Sequence, residues 1–370
     1  MAPSVAEIKQ DASEAIDQIQ QVKQSVKTVD LLAASKAGPS YPFYAPYYDL
    51  EEKFSPTELF DFVDPGSRAD PKKPHLLNKA VTIKTVSPYL GTKIKGVQIS
   101  ELTKEGLDEL ALYAAERKVL IFRDQNFKDL TPERQIEIAR HFGPIQKHPT
   151  SPNVKGYPEF HVVYRDRNFN RSRIPGADSD FGNRLSSTQW HSDVSYEKQP
   201  PGTTFFFVLD QPETGGGDTL FLSQVEAYNR LSPEFKKRLE GLRAVHSAVR
   251  QAEESKARGG PVRREAVESE HPIVRVHPVT GEKALYVNAN FTRHIVGFRQ
   301  EESDALLGFL YNHIATGSDF QIRGTYQPGT VVVWDNRLTV HSIVRDYSQE
   351  YRRHCVRLTP QAEVPIEAKA

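Results

Sequence analysis

The chain has 370 residues, with 48 basic and 48 acidic side chains and a formal charge of zero. A neutral total supplies no global field for nucleic acid or an anionic membrane surface, so neither is expected as a partner. The single cysteine, Cys355, cannot close an internal disulfide, and no apolar run approaches the roughly 20 residues that span a bilayer, which predicts a soluble cytoplasmic protein.

Residues 1–36 carry Ile8, Ala12, Ile16, Ile19, Val22 and Val26 at the spacing of one helical face. Early acidic residues and the lack of an apolar core argue against a secretory signal, leaving an amphipathic helix that is docked on the domain or frayed in solvent, with a short oligomerisation helix as the alternative. Residues 37–79 are rich in Pro and Tyr and predict an ordered wrap, because Tyr and Phe need apolar cover. One catalytic domain is expected over residues 80–362, followed by a tail over 363–370. Within it VTIKTV and IKGVQIS alternate like half-buried strands. TKEGLDELALYAAERK then reads as a helix capped by Thr103, VLIFRD as a buried strand, and TPERQIEIARHFG as a helix capped by Thr131 and ended by Gly143.

Farther on, TTFFFVLD, GGGDTLFLS, IVRVHP, ALYVNANF, TVVVWD and RRHCVRLTP are short and rich in β-branched or aromatic residues, with Gly and Pro between them. Helical text interrupts them at SQVEAYNRLSPEFKKRLEGL and QEESDALLGFLYNHIAT. This pattern predicts a mainly β protein with peripheral helices and a cupin-like jelly-roll (double-stranded β-helix) core. The charged stretch RQAEESKARGGPVRREAVESE reads as a mobile loop, with residues 253–268 as a possible lid.

The chemistry starts at STQWHSDVSYEKQPP, Ser187 to Pro201. Read as a strand, it points His191 and Asp193 to one face. Among the other histidines, His75 and His313 have polar surroundings, and His271 and His277 flank prolines. His341 lies just past a buried strand in GTVVVWDNRLTVHSI, where a barrel can bring it beside the pair. Two histidines and a carboxylate form the facial triad of non-haem Fe(II) oxygenases, which leaves coordination positions open. A closed structural site would use four protein ligands. Arg353 and Arg357 are four apart on a predicted strand, so they share a face and imply two anions or one dianion. Cys355 is placed off that face as a small buried hydrophobe, and Trp190 and Trp334 are assigned to packing. Gly215 to Gly217 read as a tight turn, since no P-loop lysine follows.

The ordered set WHSDVSY, PETGGGDTLF, AYNRLSPEFKKRLEGLRAVH, HPVTGEKALYVNANFTRHI and WDNRLTVH resembles the taurine dioxygenase (TauD/TfdA) family of Fe(II)/2-oxoglutarate-dependent oxygenases from Val81 to Pro360, and is similar to its fungal sulfonate dioxygenase-like members. The resemblance implies that His191, Asp193 and His341 hold Fe(II), and that Thr219 and Arg353 bind the distal carboxylate of 2-oxoglutarate. It further implies that Arg357 and His148 bind the substrate anion, while Val194 and Phe291 line the pocket. Ser151 and Ser187 stand where the family has a tyrosine and an asparagine. With O2, such an enzyme oxidises a C–H bond of a small anionic substrate while 2-oxoglutarate becomes succinate and CO2. Sulfonate hydroxylation with sulfite release is the favoured outcome. The alternative is biosynthetic hydroxylation, desaturation or cyclisation of an amino acid or related acid, and a silent cupin-like binding protein is a remote third. The family also makes a dimer or tetramer an expectation.

Overall fold

Alternation along two adjacent strands sets the layering. In β14 (Val331–Asp335) Val331 and Val333 share one face and Val332 and Trp334 the other, and all four are buried. Its neighbour β6 (Thr203–Asp210) repeats the pattern, with Phe205, Phe207 and Leu209 opposed to Phe206 and Val208. Strands apolar on both faces need a layer on each side. In the computed structural model, which describes residues 39–166, 189–347 and 351–369, both layers are present. The predicted helix over residues 8–26 and Ser187 lie outside the described residues.

The two strands sit in an eight-stranded sheet with β1 (Thr82–Thr85), β2 (Thr92–Lys95), β3 (Val119–Phe122), β4 (Asn153–Val154), β5 (Tyr157–Arg165) and β16 (Arg353–Leu358), in the order β1-β2-β3-β14-β6-β16-β5-β4. One face, with Phe205, Val333 and Val356, packs on Leu110 of α1 (Lys104–Arg117) and Ile138 of α2 (Pro132–Arg140). The other face, with Phe206, Trp334 and Cys355, meets Phe221 and Ile322 of a three-stranded sheet ordered β13 (Gln321–Gly324), β7 (Thr219–Ser223), β15 (Thr339–Ile343). The far side of β7 and β15, through Leu222 and Val340, packs on Leu307 and Leu310 of α6 (Gln300–Thr316). Two smaller sheets are ordered β12 (Thr292–Ile295), β8 (Arg243–Ser247), β9 (Glu268–Pro272) and β11 (Lys283–Leu285), β10 (Val274–Val276), β17 (Ile366–Glu367).

Local chemistry explains where elements start. Thr103 accepts from the Gly106 amide (3.3 Å) and Thr131 from that of Arg134 (3.4 Å), as their cap assignments predict. The text from Ser223 to Leu242 divides into α3 (Gln224–Asn229) and α4 (Pro233–Leu239). Pro233 cannot donate into a continuing helix, and Ser232 caps the new one through the Phe235 amide (3.3 Å). Within the 39–79 segment Tyr44 is buried with its hydroxyl on Gln135 Oε1 (3.1 Å), and Tyr47 exchanges backbone bonds with Asn153.

Several expectations are corrected. Of IKGVQIS only Ile94 and Lys95 are strand, as the end of β2, because Gly96 turns the chain at φ +94° where a Cβ would stand 2.5 Å from the Ala80 carbonyl oxygen. The β1 residues are exposed rather than half-buried. Only the start of ALYVNANF is strand. The charged stretch forms helix α5 (Val249–Ala257) followed by a tethered segment in which Arg263 is fully buried. Finally, Cys355 shares the face of Arg353 and Arg357, as a period of two requires, and burial pushes its thiol up to about 11. Among the described residues no helix is long and apolar enough to cross a membrane.

Candidate metal centre and its anion-binding surroundings

His191 and His341 meet through the backbone. They form an antiparallel bridge in which the His191 amide donates to the His341 carbonyl (3.0 Å) and receives the reciprocal bond (2.8 Å). Residues opposed in this way project to one side, and the two imidazole centroids are 4.3 Å apart. The pairing is a single bridge and not the predicted strand, because the chain turns at once: Val194 has φ +39°, costly for a β-branched residue, and the Glu197 amide donates to the Val194 carbonyl. Asn336 holds this turn, accepting from the Asp193 amide (2.8 Å) and donating to its carbonyl (3.1 Å). Thus the bridge, together with a turn pinned by the β14–β15 connection, brings Asp193 beside both histidines.

His191 Nε2 and His341 Nε2 each lie 3.6 Å from Asp193 Oδ1, and the candidate ligand atoms are all within 4.8 Å of one another. A single ion with bonds of about 2.0–2.5 Å spans that distance. His191 Nδ1 faces the Gln189 carbonyl at 2.7 Å, which assigns the proton to Nδ1 and leaves Nε2 as a ligand. Burial pushes the His341 imidazole down to about 3 against the pull of Asp193, so it is neutral, as a ligand must be. Burial would raise the Asp193 carboxyl, but Arg357 first, then His341 and His191, hold it well below the usual carboxylate range. Asp193 Oδ2 is buried with no hydrogen-bond partner among the described residues, an open lone-pair site that a cation satisfies. Two imidazole Nε2 atoms and one carboxylate oxygen fit Fe(II).

The surrounding cations lie on the inter-sheet face of β16. Arg353, 2% exposed, donates from Nε to the Gly217 carbonyl (2.9 Å), and its guanidinium stacks over Phe206. Gly215, Gly216 and Gly217 all have positive φ, confirming the tight turn, and a Cβ on Gly217 would be 2.7 Å from Arg353 Cδ. Thr219 opens β7 two residues from core Phe221, and the Tyr326 phenol, held up by burial, lies beside both Thr219 and Arg353. Arg357 donates from Nη1 to Asp193 Oδ1 (2.5 Å) and from Nη2 to His161 Nδ1 (2.6 Å). Its Nε is buried without a partner among the described residues.

His148 lies with its ring 4.7 Å from that of His161. Its Nδ1 accepts from the Ser151 amide (3.1 Å) and the Thr150 amide (3.3 Å), so the proton of the neutral ring is on Nε2. Burial, with Arg357 next, pushes it down to about 3. Ser151 therefore meets His148 through its backbone, and its carbonyl accepts from Arg263 Nη1 (2.7 Å). Phe291 approaches His191 at 6.2 Å between rings and clusters with Val194. Trp334 packs against His341 and Trp190 lies in the core beside α6, so both serve packing. Sequence reasoning missed His161 and Asn336. The first was legible as the outward residue in the alternating run FHVVY; the second had no signal before its partner was known.

Two histidines and a carboxylate at the edge of two facing sheets, with buried Arg353 and partly buried Arg357 beside them, define a non-haem iron oxygenase site. The description "Taurine catabolism dioxygenase TauD, TfdA family" matches residues 82–359, and the chain belongs to that family. It is 50% identical over 333 residues to the alpha-ketoglutarate-dependent dioxygenase cnsM of Penicillium expansum, covering 89% of this chain and 91% of that one. The alpha-ketoglutarate-dependent sulfonate dioxygenase of Saccharomyces cerevisiae is 43% identical over 332 residues, covering 88% and 79% respectively. Among solved structures, a taurine dioxygenase from Burkholderia xenovorans superposes with a TM-score of 0.63 at 28% identity, over 78% of this chain and 91% of that one. The protein is accordingly an oxidoreductase, a dioxygenase dependent on Fe(II), O2 and 2-oxoglutarate, which is alpha-ketoglutarate under its other name.

Proposed function

We propose that this enzyme hydroxylates a small organic sulfonate at the carbon bearing sulfur, on a jelly-roll core formed by the two facing sheets. His191, Asp193 and His341 would hold Fe(II), and Thr219 and Arg353 the distal carboxylate of 2-oxoglutarate. Bound there, metal, co-substrate and O2 supply the oxidising power. One oxygen atom goes to succinate as CO2 leaves. The other goes to the substrate carbon, whose C–S bond then breaks to give an aldehyde and sulfite.

The observation that carries this reading is the buried Nε–H of Arg357, unpartnered among the described residues while Nη1 and Nη2 are engaged. An unpartnered buried charge-bearing donor calls for an oxyanion. The Nε2–H of neutral His148, whose ring lies 4.7 Å from that of His161, would be a second donor, and Val194 and Phe291 would form the wall that aims the substrate carbon. A sulfonate dioxygenase at 43% identity supports the choice of anion. The second reading, oxidation of an amino acid or related small acid, draws on relatives at 50% and 48% identity that are named for the co-substrate alone.

The test is a pair of variants. Arg357→Ala is expected to raise the KM for the sulfonate at least about 10-fold while leaving that for 2-oxoglutarate near wild type, and Arg353→Ala to do the reverse. Equal effects on both constants would mean that the two anion sites are wrongly assigned.

A further inference from the structure

β5 and β16 pair so that His161 stands directly opposite Arg357. Cross-strand neighbours share a face, so His161 meets the guanidinium at Nη2 while Asp193 takes Nη1. We infer that His161 is a positioning residue that limits Arg357 to one oxygen of the metal carboxylate and keeps it in register for the substrate anion; the second half of this statement rests on the clamp reading of Arg357 given above.

The argument is one of competition. Arg357 already donates to Asp193 Oδ1, and Asp193 Oδ2 is buried and unpartnered among the described residues. A guanidinium beside such a carboxylate tends to take both oxygens through two parallel N–H bonds. Doing so would occupy the lone pairs that a metal needs and turn the remaining donor away from substrate. The bond from Arg357 Nη2 to His161 Nδ1, at 2.6 Å, prevents this by committing the second amino group elsewhere.

An imidazole also suits the task chemically. Its Nδ1 accepts a hydrogen bond without carrying negative charge, so it orients Arg357 and leaves the attraction for an anion intact. A carboxylate there would orient the guanidinium and neutralise it. The acceptor state is secure: burial first, then Arg357 and His148, hold the His161 imidazole far below its ordinary value.

The experiment compares His161→Phe, which keeps the ring against His148, with His161→Gln, which keeps an acceptor. The first readout is Mn(II) affinity, by titration without substrate or turnover. His161→Phe is expected to bind Mn(II) about 10-fold more weakly, the size of one hydrogen bond to a charged group, and His161→Gln within about 2-fold of wild type. Adding Arg357→Ala to His161→Phe is expected to restore the affinity, since the competing cation is gone. Unchanged Mn(II) affinity in His161→Phe, or equal losses in the Phe and Gln variants, would overturn the inference. Anaerobic calorimetry with taurine on the Mn(II)/2-oxoglutarate form separates the two readings. If Arg357→Lys leaves taurine binding as it is in the wild type while the metal results hold, the sulfonate clamp fails and the positioning role of His161 stands.

Discussion

Asp193 serves two cations, and its environment shows the conflict. With 3% of its side chain exposed it must be neutralised, and both Arg357 and a metal ion can do so. Arg357→Ala therefore has a stability signature apart from catalysis. In metal-free protein it leaves a buried carboxylate without its main partner, with an expected loss of about 3 kcal/mol. Saturating Mn(II) is expected to recover most of that loss, because the ion takes over the charge. Thermal denaturation with and without Mn(II) checks this, and a loss of equal size in both conditions would contradict it. The triad itself is tested by His191→Ala, which is expected to abolish metal-dependent 2-oxoglutarate binding as read by calorimetry.

At the scale of elements, the glycine turn before β7 shapes the proposed co-substrate site around Arg353. Gly217 has φ +67°, and its Cα lies against Arg353 so closely that a methyl group must displace the side chain. Gly217→Ala is expected to raise the KM for 2-oxoglutarate several-fold and to lower stability by about 1 kcal/mol, leaving the KM for substrate little changed. Parallel kinetics for the two substrates decide it. The same turn shows what a sequence can reveal. Three consecutive glycines announce positive φ, and strands such as TTFFFVLD announce burial on both faces through composition alone. His191 and Asp193 were legible as a pair, yet for a reason that did not hold, since a bridge and a turn align them instead of a strand. What stayed hidden depends on contacts distant in sequence. Asn336 binds the backbone of Asp193 across 143 positions, and Arg263 reaches Ser151 from a segment whose charge suggested mobility. His161 was missed because β5 went unread, although Phe160, Val162 and Tyr164 alternate into the core.

Across the whole molecule, histidines are buried neutral well beyond the metal centre. Burial pushes His271 and His354 down to about 4 and His246 well below its ordinary value. All three depressed pKa values belong to the folded state, so below about pH 6.5 the unfolded chain takes up protons that the folded chain refuses. Their contribution is complete above about pH 6.5 and is lost as pH falls, for His271 and His354 down to about 4, at up to about 1.4 kcal/mol per pH unit for each histidine. The melting temperature of metal-free protein is thus expected to drop steadily from pH 6.5 to pH 4.5, where a flat profile would contradict these assignments. The same acid sensitivity is carried at the metal centre, where burial pushes His341 and neighbouring His148 down to about 3.

The most direct measurement is the parallel quantification of succinate and sulfite released by the Fe(II)-loaded enzyme with 2-oxoglutarate, O2 and a panel of sulfonates, amino acids and aryloxy acids. The account predicts that a sulfonate stimulates succinate formation with one sulfite per succinate, and that Arg357→Ala removes the stimulation. Succinate formation driven by amino acids alone, with no sulfite from any sulfonate, would contradict it and assign the anion clamp to a carboxylate.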